Sequence, residues 1–499
     1  VVNGDFNGDG TQDFIIYATV GPYARNKYQL FKNIQDVGIN NGILHDIGNF
    51  DALFPVSYLK GEMSQGYKLS EKTGWCVVKN NFNNSVTSFR SYELNNNIIS
   101  QNDNKDYIFP KYNILTSQLD YSGAISTNLL PIPKKFYSGD FNGDSISDVI
   151  AIEVTPNNNN RIYFIDLDKR LSQNFVFQSG EVNALYNSQV FIDDVNGDGK
   201  SDLLVFKDFQ LNIYSLNEFN QFVNIGGITH VNISSTSKIL IGDYNGDGSS
   251  DFIVPINIAN SYVKFTSVVS SSTIGFETST HVYSIPNNQN SGEDCPNVYH
   301  IIPTDFNKDG KTDLILARNV GCNNGFGFIS ISHYANVNNN FESTMYASTE
   351  NQFGIGAYAI PLFLSGKNNK YRDEINFITN FRIIKFNSHK DLKSDALLKT
   401  IIVGNGTEKK ISYGSLVNSD VNNANNSIYI SSLGTNLYPN FDINFSPDYK
   451  VVKRLEVVSD GEHKMQDYKF FGAVSNVEGV GFLGFIAISK TNWYNGIYP

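Results

Sequence analysis

Only 3 of the 499 residues are cysteine, so no disulfide framework holds this chain together. No run of about 18 apolar residues occurs, which excludes a bilayer-spanning helix. Charge is sparse at 17%, and it leans acidic: 38 Lys and Arg stand against 49 Asp and Glu, a net −11. That excludes a broad basic face for nucleic acid and a polybasic run for an anionic membrane. No segment keeps a 3.6-residue apolar period over three turns, so neither a helical bundle nor a coiled coil is expected. The first residues hold no Met, no basic stretch and no apolar signal core. The chain therefore reads as a segment of a longer polypeptide. What is abundant points one way. About one residue in eight is Asn, and there are 40 Gly, 36 Phe and 28 Tyr. This is the composition of an all-β protein with many tight turns.

One nine-residue pattern recurs: Asp-x-Asn-x-Asp-Gly-x-x-Asp, followed by an apolar run. It occurs at Asp5, Asn7, Asp9 and Asp13, and again at Asp140, Asn142, Asp144 and Asp148. Further copies are Asp194, Asn196, Asp198 and Asp202; Asp243, Asn245, Asp247 and Asp251; and Asp305, Asn307, Asp309 and Asp313. From the second copy on, the first Asp advances by 54, 49 and 62 residues, somewhat longer than the roughly 40–50 residues of a four-stranded propeller blade. The gap of 135 residues after Asp5 has room for two units without the motif. A degenerate copy follows at Gly366, Asn368, Lys370 and Glu374, where a fixed ammonium stands in place of a carboxylate. The expected fold is a β-propeller over 1–385, with seven blades if the first and last units share one by ring closure, and six or eight as alternatives. A β-rich segment, 386–499, follows.

The pattern suits a hard divalent cation. Calcium takes six to eight oxygens at about 2.3–2.6 Å. Positions 1, 3, 5 and 9 supply three carboxylates and an amide oxygen. Position 7 adds a backbone carbonyl: Thr11, Ile146, Lys200, Ser249 and Lys311. Position 6 needs a sharp turn, hence Gly10, Gly199, Gly248 and Gly310, with Ser145 as the exception. Without an ion, three carboxylates within nine residues repel one another. Five calcium ions, one per intact loop and none at Lys370, would bring the net charge from −11 to −1.

Cys295 precedes one arm of the hairpin that carries the Asp305 loop, and Cys322 follows the other. The two are expected to form a disulfide at the open end, worth about 3.5 kcal/mol, while Cys76 stays free. Gly479-Val480-Gly481-Phe482-Leu483-Gly484 fits a dinucleotide fingerprint by chance, with no βαβ unit around it. The seven His show no metal-ligand spacing, and Trp75 and Trp493 read as packing aromatics.

The motif Asp-Phe-Asn-Gly-Asp-Gly-x-x-Asp with its aliphatic run resembles the FG-GAP repeat, the calcium-loop blade of integrin-type propellers. After residue 390 the motif stops, and strands are expected at Ile411-Ser412-Tyr413, Val452 to Val457, Tyr468-Lys469-Phe470-Phe471-Gly472-Ala473 and Gly481-Phe482-Leu483-Gly484-Phe485. This order resembles the junction in SpvB-like and insecticidal toxin-complex B components, where a propeller meets an Rhs/YD-repeat shell. Val480 stands where that family has Arg, and Phe470 where it has a second Tyr. The resemblance implies a non-catalytic scaffold in a secreted or cell-surface bacterial protein. Its propeller would dock a protein partner or gate a shell that encloses a C-terminal effector. A glycan-binding adhesin and a polysaccharide lyase carried on a propeller are the alternatives.

Overall fold

The computed structural model describes residues 2–8, 13–18, 27–31, 43–46, 50–81, 86–122, 124, 126, 128–154, 159–171, 174–183, 188–207, 209–229, 239–247, 249–259, 262–268, 282–286, 294–307, 309–320, 328–337, 340–348, 360–365, 373–378, 383–387, 397–417, 427–432, 436–443, 445–459, 461–476 and 481–495. Among them there is no helix. The protein is all-β, with a β-propeller-like arrangement of small antiparallel sheets.

Five sheets consist of four consecutive strands each. The first holds Val2–Gly4, Asp13–Ala18, Lys27–Phe31 and Ile43–Asp46. The third holds Lys134–Gly139, Asp148–Glu153, Asn159–Ile165 and Val176–Asn183. The fourth holds Gln189–Asp193, Asp202–Lys207, Gln210–Leu216 and Phe222–Thr229. The fifth holds Leu240–Gly242, Asp251–Ala259, Tyr262–Val268 and Val282–Pro286. The sixth holds Asp294–Thr304, Asp313–Val320, Phe328–Val337 and Asn340–Ser348. The second sheet also has four strands, Ala52–Val56, Gly74–Asn81, Val86–Asn95 and Ile98–Ile108, but a hairpin of Leu59–Glu62 and Gly66–Leu69 interrupts its first connection. The seventh has three described strands, Ile360–Ser365, Asp373–Ile378 and Ile383–Asn387. First strands lie side by side from sheet to sheet: Val2–Gly4 beside Ala52–Val56, then Lys134–Gly139, then Gln189–Asp193.

The apolar run after each motif has a simple cause. The second strand of a sheet is covered on both faces, so it does not alternate with polar residues. In Asp148–Glu153 every side chain is buried. Val149 and Ala151 pack toward the second sheet with Cys76, Val78 and Phe89. Ile150 and Ile152 pack toward the fourth with Leu203, Val205 and Leu216. The next strand repeats this: Leu204 and Phe206 meet Phe252 and Val254 of the fifth sheet. Ile253 in turn meets Leu314 and Leu316 of the sixth. The hydrophobic core is thus a series of layers between neighbouring sheets.

The gap after Asp5 holds one full sheet rather than two. Its remainder is the inserted hairpin and a small sheet of Lys111–Asn113, Gln118–Asp120 and Leu129–Pro131. The first sheet is complete by itself, with four strands, so it does not share strands with the last. These are two corrections to the unit count read from spacing.

Beyond Asn387 the next described strand is Thr400–Ile402. It joins Glu408–Val417, Phe445–Ser459 and Glu462–Asn476 in a seven-stranded sheet, with Asn440–Ile443 and Gly481–Lys490 antiparallel to the last of these and Tyr429–Ile430 parallel to it. The strands read from the sequence here all occur, and 404–406 form the turn between the first two. Gly472 is required where it stands: its φ is +56°, and a β-carbon would lie 2.5 Å from Ile486. Leu416, Tyr429, Val451, Phe470 and Ala473 form the local core.

Among the described residues, this unit meets the propeller-like sheets at the turn around Tyr438. Tyr438 N–H donates to the Tyr67 carbonyl in the inserted hairpin (3.0 Å), and Leu437 lies against Gly66. Tyr438 O–H donates to the Asp144 carbonyl (3.3 Å), and the Arg170 guanidinium sits 4.3 Å over its ring. Arg170 is held by Asp168, at 2.7 Å.

Candidate functional site

Each of the five motif copies joins the first strand of a sheet to the second, so all five fall at equivalent ends. The Asp140 loop shows how the residues are used. Asp140 accepts the N–H groups of Gly143 (2.8 Å), Asp144 (3.1 Å) and Ser145 (2.6 Å). Asn142 Oδ1 accepts from Asp144 N–H (3.0 Å), and Asp144 Oδ1 accepts from Ile146 N–H (2.9 Å). Asp148 Oδ2 accepts from Phe141 N–H (3.2 Å). Such side-chain-to-backbone bonds are what short Asp and Asn side chains do in tight turns.

The other copies repeat the scheme. Asp194 accepts from Gly197, Asp198 and Gly199; Asn196 from Asp198; Asp198 from Lys200; Asp202 from Val195. Asp243 accepts from Gly246 and Asp247, Asn245 from Asp247, Asp247 from Ser249, and Asp251 from Tyr244 and Asn245. Asp305 accepts from Asp309 and Gly310, Asn307 from Asp309, Asp309 from Lys311, and Asp313 from Asn307. In the first copy Asp5 accepts from Gly8 and Asp13 from Asn7, while Asp9 and Thr11 lie outside the described residues. So do Gly366, Asn368 and Lys370 of the degenerate copy.

Position 6 is left-handed, as the turn argument requires: Gly199 has φ +81° and Gly310 +88°. Ser145 is forced to φ 61°. A side chain there costs on the order of 1 kcal/mol. Ser145→Gly is therefore expected to raise the melting temperature and to tighten ion binding at that loop roughly fivefold. A lower melting temperature would show that the serine hydroxyl matters more than the backbone.

Among the described residues no group of three or more His, Cys, Asp or Glu is placed to hold a metal ion as it stands. The carboxylates are turned to their own backbone. The donor set nevertheless fits a hard cation. Oδ1 of Asp148 and Oδ1 of Asp202 are buried with no hydrogen-bond partner, and both residues are 0% exposed. A buried anionic oxygen without a donor is costly, and a cation or a proton removes that cost. Burial raises Asp148 well above the usual carboxylate range, with Asp166, Asp144 and Asp140 adding repulsion. Burial likewise pushes Asp144 up to about 7, helped by Asp140, and Asp202 up to about 7, helped by Asp198 and Asp194.

The sign of the pH effect follows. An acid with a raised pKa stabilises the fold below its unfolded value and loses that contribution as pH rises through the folded one. In chelator, wild type is therefore expected to lose stability relative to Asp144→Asn as pH rises from about 4 through about 7. Melting curves across that range test it, and a constant difference would refute it.

The Asp305 loop departs from the others. Asp313 Oδ2 bonds His333 Nε2 (3.0 Å) as well as Asn307 N–H, and Oδ1 accepts from Asn336 N–H (2.8 Å). His333 is buried and packs against Phe306. It sits in mid-strand, 20 residues after Asp313, with no spacing signal to reveal it. A second feature was legible but not read. In four copies the residue just before the last Asp bonds the preceding sheet's connection, and Thr73, just before Gly74, takes the same place in the second sheet. Thr73 N–H donates to Asp5 O (2.8 Å), Ser147 to Ser57 O (3.3 Å), Ser201 to Asp140 O (2.6 Å), Ser250 to Asp194 O (3.2 Å) and Thr312 to Asp243 O (2.6 Å). Ser57 and Thr73 flank the inserted hairpin, so the row of bonds passes through the sheet that lacks the motif.

The remaining candidates resolve plainly. Cys76 is buried and free, with its thiol pushed up to about 12 by burial. Asp294 pairs with Val320 at the open end of the sixth sheet's hairpin, beside Cys295, but Cys322 and its pairing lie outside the described residues. Gly481 to Gly484 belong to a strand. Trp75 is a core residue.

Residues 194–254 match the FG-GAP-like repeat. That span runs from the Asp194 loop through the last three strands of the fourth sheet to the first strand, loop and apolar run of the fifth. A comparison with curated proteins returns no match. Among solved structures the chain is similar to the Photorhabdus luminescens Tc holotoxin pore, at 12% identity and TM-score 0.44 over 96% of this chain. It spans about a fifth of that toxin chain, 21%. It is also similar to an Agrocybe aegerita lectin that recognises non-reducing terminal N-acetylglucosamine, at 11% identity and TM-score 0.40, covering 76% of this chain and 84% of the lectin. A functionally unknown protein from Desulfotomaculum acetoxidans gives 11% identity and TM-score 0.37 over 77% of this chain and 94% of its own.

Proposed function

We propose that this chain is a non-catalytic scaffold whose propeller is stiffened by about five calcium ions, one at each intact loop. The observation that carries this reading is the pair of buried, partnerless carboxylate oxygens at position 9 of the Asp140 and Asp194 loops, Oδ1 of Asp148 and Oδ1 of Asp202. Calcium would neutralise the carboxylates of positions 1, 5 and 9 and draw them together. The loops' own N–H bonds already hold positions 1 and 5 in acceptor orientation, and those oxygens keep further lone pairs for an ion.

The seven propeller-type sheets form a seven-bladed ring in this reading. Phe14 and Phe31 support it: they stack at 5.0 Å, both buried, while their neighbours Ile15 and Leu30 pack toward the second sheet. The seventh sheet would cover them on closure. The C-terminal sheet, ordered as in the toxin-complex and SpvB-like resemblance, would begin an Rhs-type shell carrying an effector. The propeller would dock or gate that shell in a secreted or cell-surface bacterial protein, where calcium is plentiful.

Equilibrium dialysis of the calcium-depleted chain tests the reading, with about five ions bound per chain as the expected result. One ion or none would overturn it. Turnover on a polysaccharide panel would replace the scaffold with an enzyme.

A further inference from the structure

We propose that Ser201 and Ser250 are positioning residues for the ion loop before their own, and that they make calcium binding at neighbouring loops cooperative. This rests on the calcium reading above. Ser201 stands immediately before Asp202, the last ligand candidate of the Asp194 loop. Its N–H donates to the carbonyl of Asp140, the first ligand candidate of the preceding loop, at 2.6 Å. Its Oγ accepts from Asp140 N–H at 3.0 Å. One residue of the Asp194 loop therefore grips both backbone groups of Asp140.

A second contact runs in parallel. Lys200 packs on Gly143, where a β-carbon would come within 3.0 Å of the lysine stem. Lys200 offers the position-7 carbonyl to its own loop. Both neighbours of the link, Lys200 and Asp202, are thus ligand candidates of the Asp194 loop. An ion that draws them inward fixes Ser201 between them, and Ser201 fixes Asp140. Ser250 repeats the N–H half of the arrangement, donating to Asp194 O at 3.2 Å while Ser249 lies against Gly197; Asp194 N–H is taken instead by Asp193 Oδ1, at 2.9 Å.

Coupling needs both loops to hold an ion. The Asp5 loop is gripped by Thr73, which belongs to the connection with the inserted hairpin and not to a carboxylate loop. It is the internal control, and it titrates independently. The Asp140, Asp194, Asp243 and Asp305 loops form the coupled row, the last through Thr312 on Asp243 O.

Hydrogen-exchange mass spectrometry of the full chain at graded calcium reads each loop separately. In wild type, protection of 140–148, 194–202, 243–251 and 305–313 is expected to rise together, with a Hill slope above one. Ser201→Pro removes the N–H donor and is expected to shift the 140–148 midpoint to about five- to fiftyfold higher calcium, leaving 1–13 unmoved. Ser201→Ala, which loses only the hydroxyl, keeps the test open should the proline variant misfold. It is expected to shift the same midpoint in the same direction by a smaller factor. Ser201→Thr, the residue found at positions 73 and 312, restores wild-type behaviour. Independent midpoints in wild type, or a shift confined to 194–202 in the Ser201 variants, would overturn the coupling and leave the calcium reading intact. No calcium-dependent protection at any loop would overturn both.

Discussion

Adding a chelator to the calcium-loaded chain is expected to lower its melting temperature by on the order of 10 °C, and calcium restores it. A ligand that binds the folded state alone stabilises it by about 2.7 kcal/mol per site at a hundredfold excess over Kd. Five loops carry the motif, and removing bound ions would leave the charges of positions 1, 5 and 9 uncompensated. Part of that charge is relieved by protons, because Asp144 and Asp202 are both pushed up to about 7. The loss should therefore be larger at pH 8 than at pH 6. Differential scanning calorimetry with and without chelator measures it. A melting curve that ignores both chelator and calcium would leave the loops as ordinary Asx turns.

Truncating Trp75 is expected to be the most damaging single change between the first two sheets. The indole is fully buried. It meets Phe6 edge-on at 5.4 Å and stacks with Tyr92 at 6.1 Å, in a cluster drawn from both sheets. Its Nε1–H donates to Tyr28 Oη at 2.9 Å, and that hydroxyl also bonds His45 Nδ1 at 2.6 Å. Trp75→Ala should cost about 3–5 kcal/mol. Trp75→Phe keeps most of the packing and loses the donor, so about 1 kcal/mol plus a small cavity term is expected. Chemical denaturation of both variants at fixed calcium separates packing from hydrogen bonding. Equal losses would mean that the indole N–H, not the ring, holds the two sheets together.

Much of this architecture could be read from residues because its causes are local. A motif of Asp, Asn and Gly favours a turn, and a short uninterrupted apolar run such as Val149 to Ile152, bounded by turn residues, suits a strand covered on both faces. The row of linked loops was also within reach, since Ser147, Ser201, Ser250 and Thr312 stand directly before the last Asp in four copies. What could not be read depends on distance in space. The 135 residues after Asp5 gave no sign that an inserted hairpin and a small sheet take the place of a second blade, because length does not distinguish insertion from repetition. His333 reaches Asp313 across two strands, through a register that no spacing encodes.

The inserted hairpin has a mechanical consequence. It replaces the ion loop in the second sheet, and it is also where the C-terminal sheet takes hold, through Tyr438 N–H on the Tyr67 carbonyl and Leu437 on Gly66. Any pull on the C-terminal unit enters the propeller-like sheets at a connection that carries no motif and spreads from there through Tyr438 to the Asp144 carbonyl next door. The joint that bears the load is therefore built from backbone and apolar contacts. It should keep its grip in a calcium-poor medium that has already softened the blades around it.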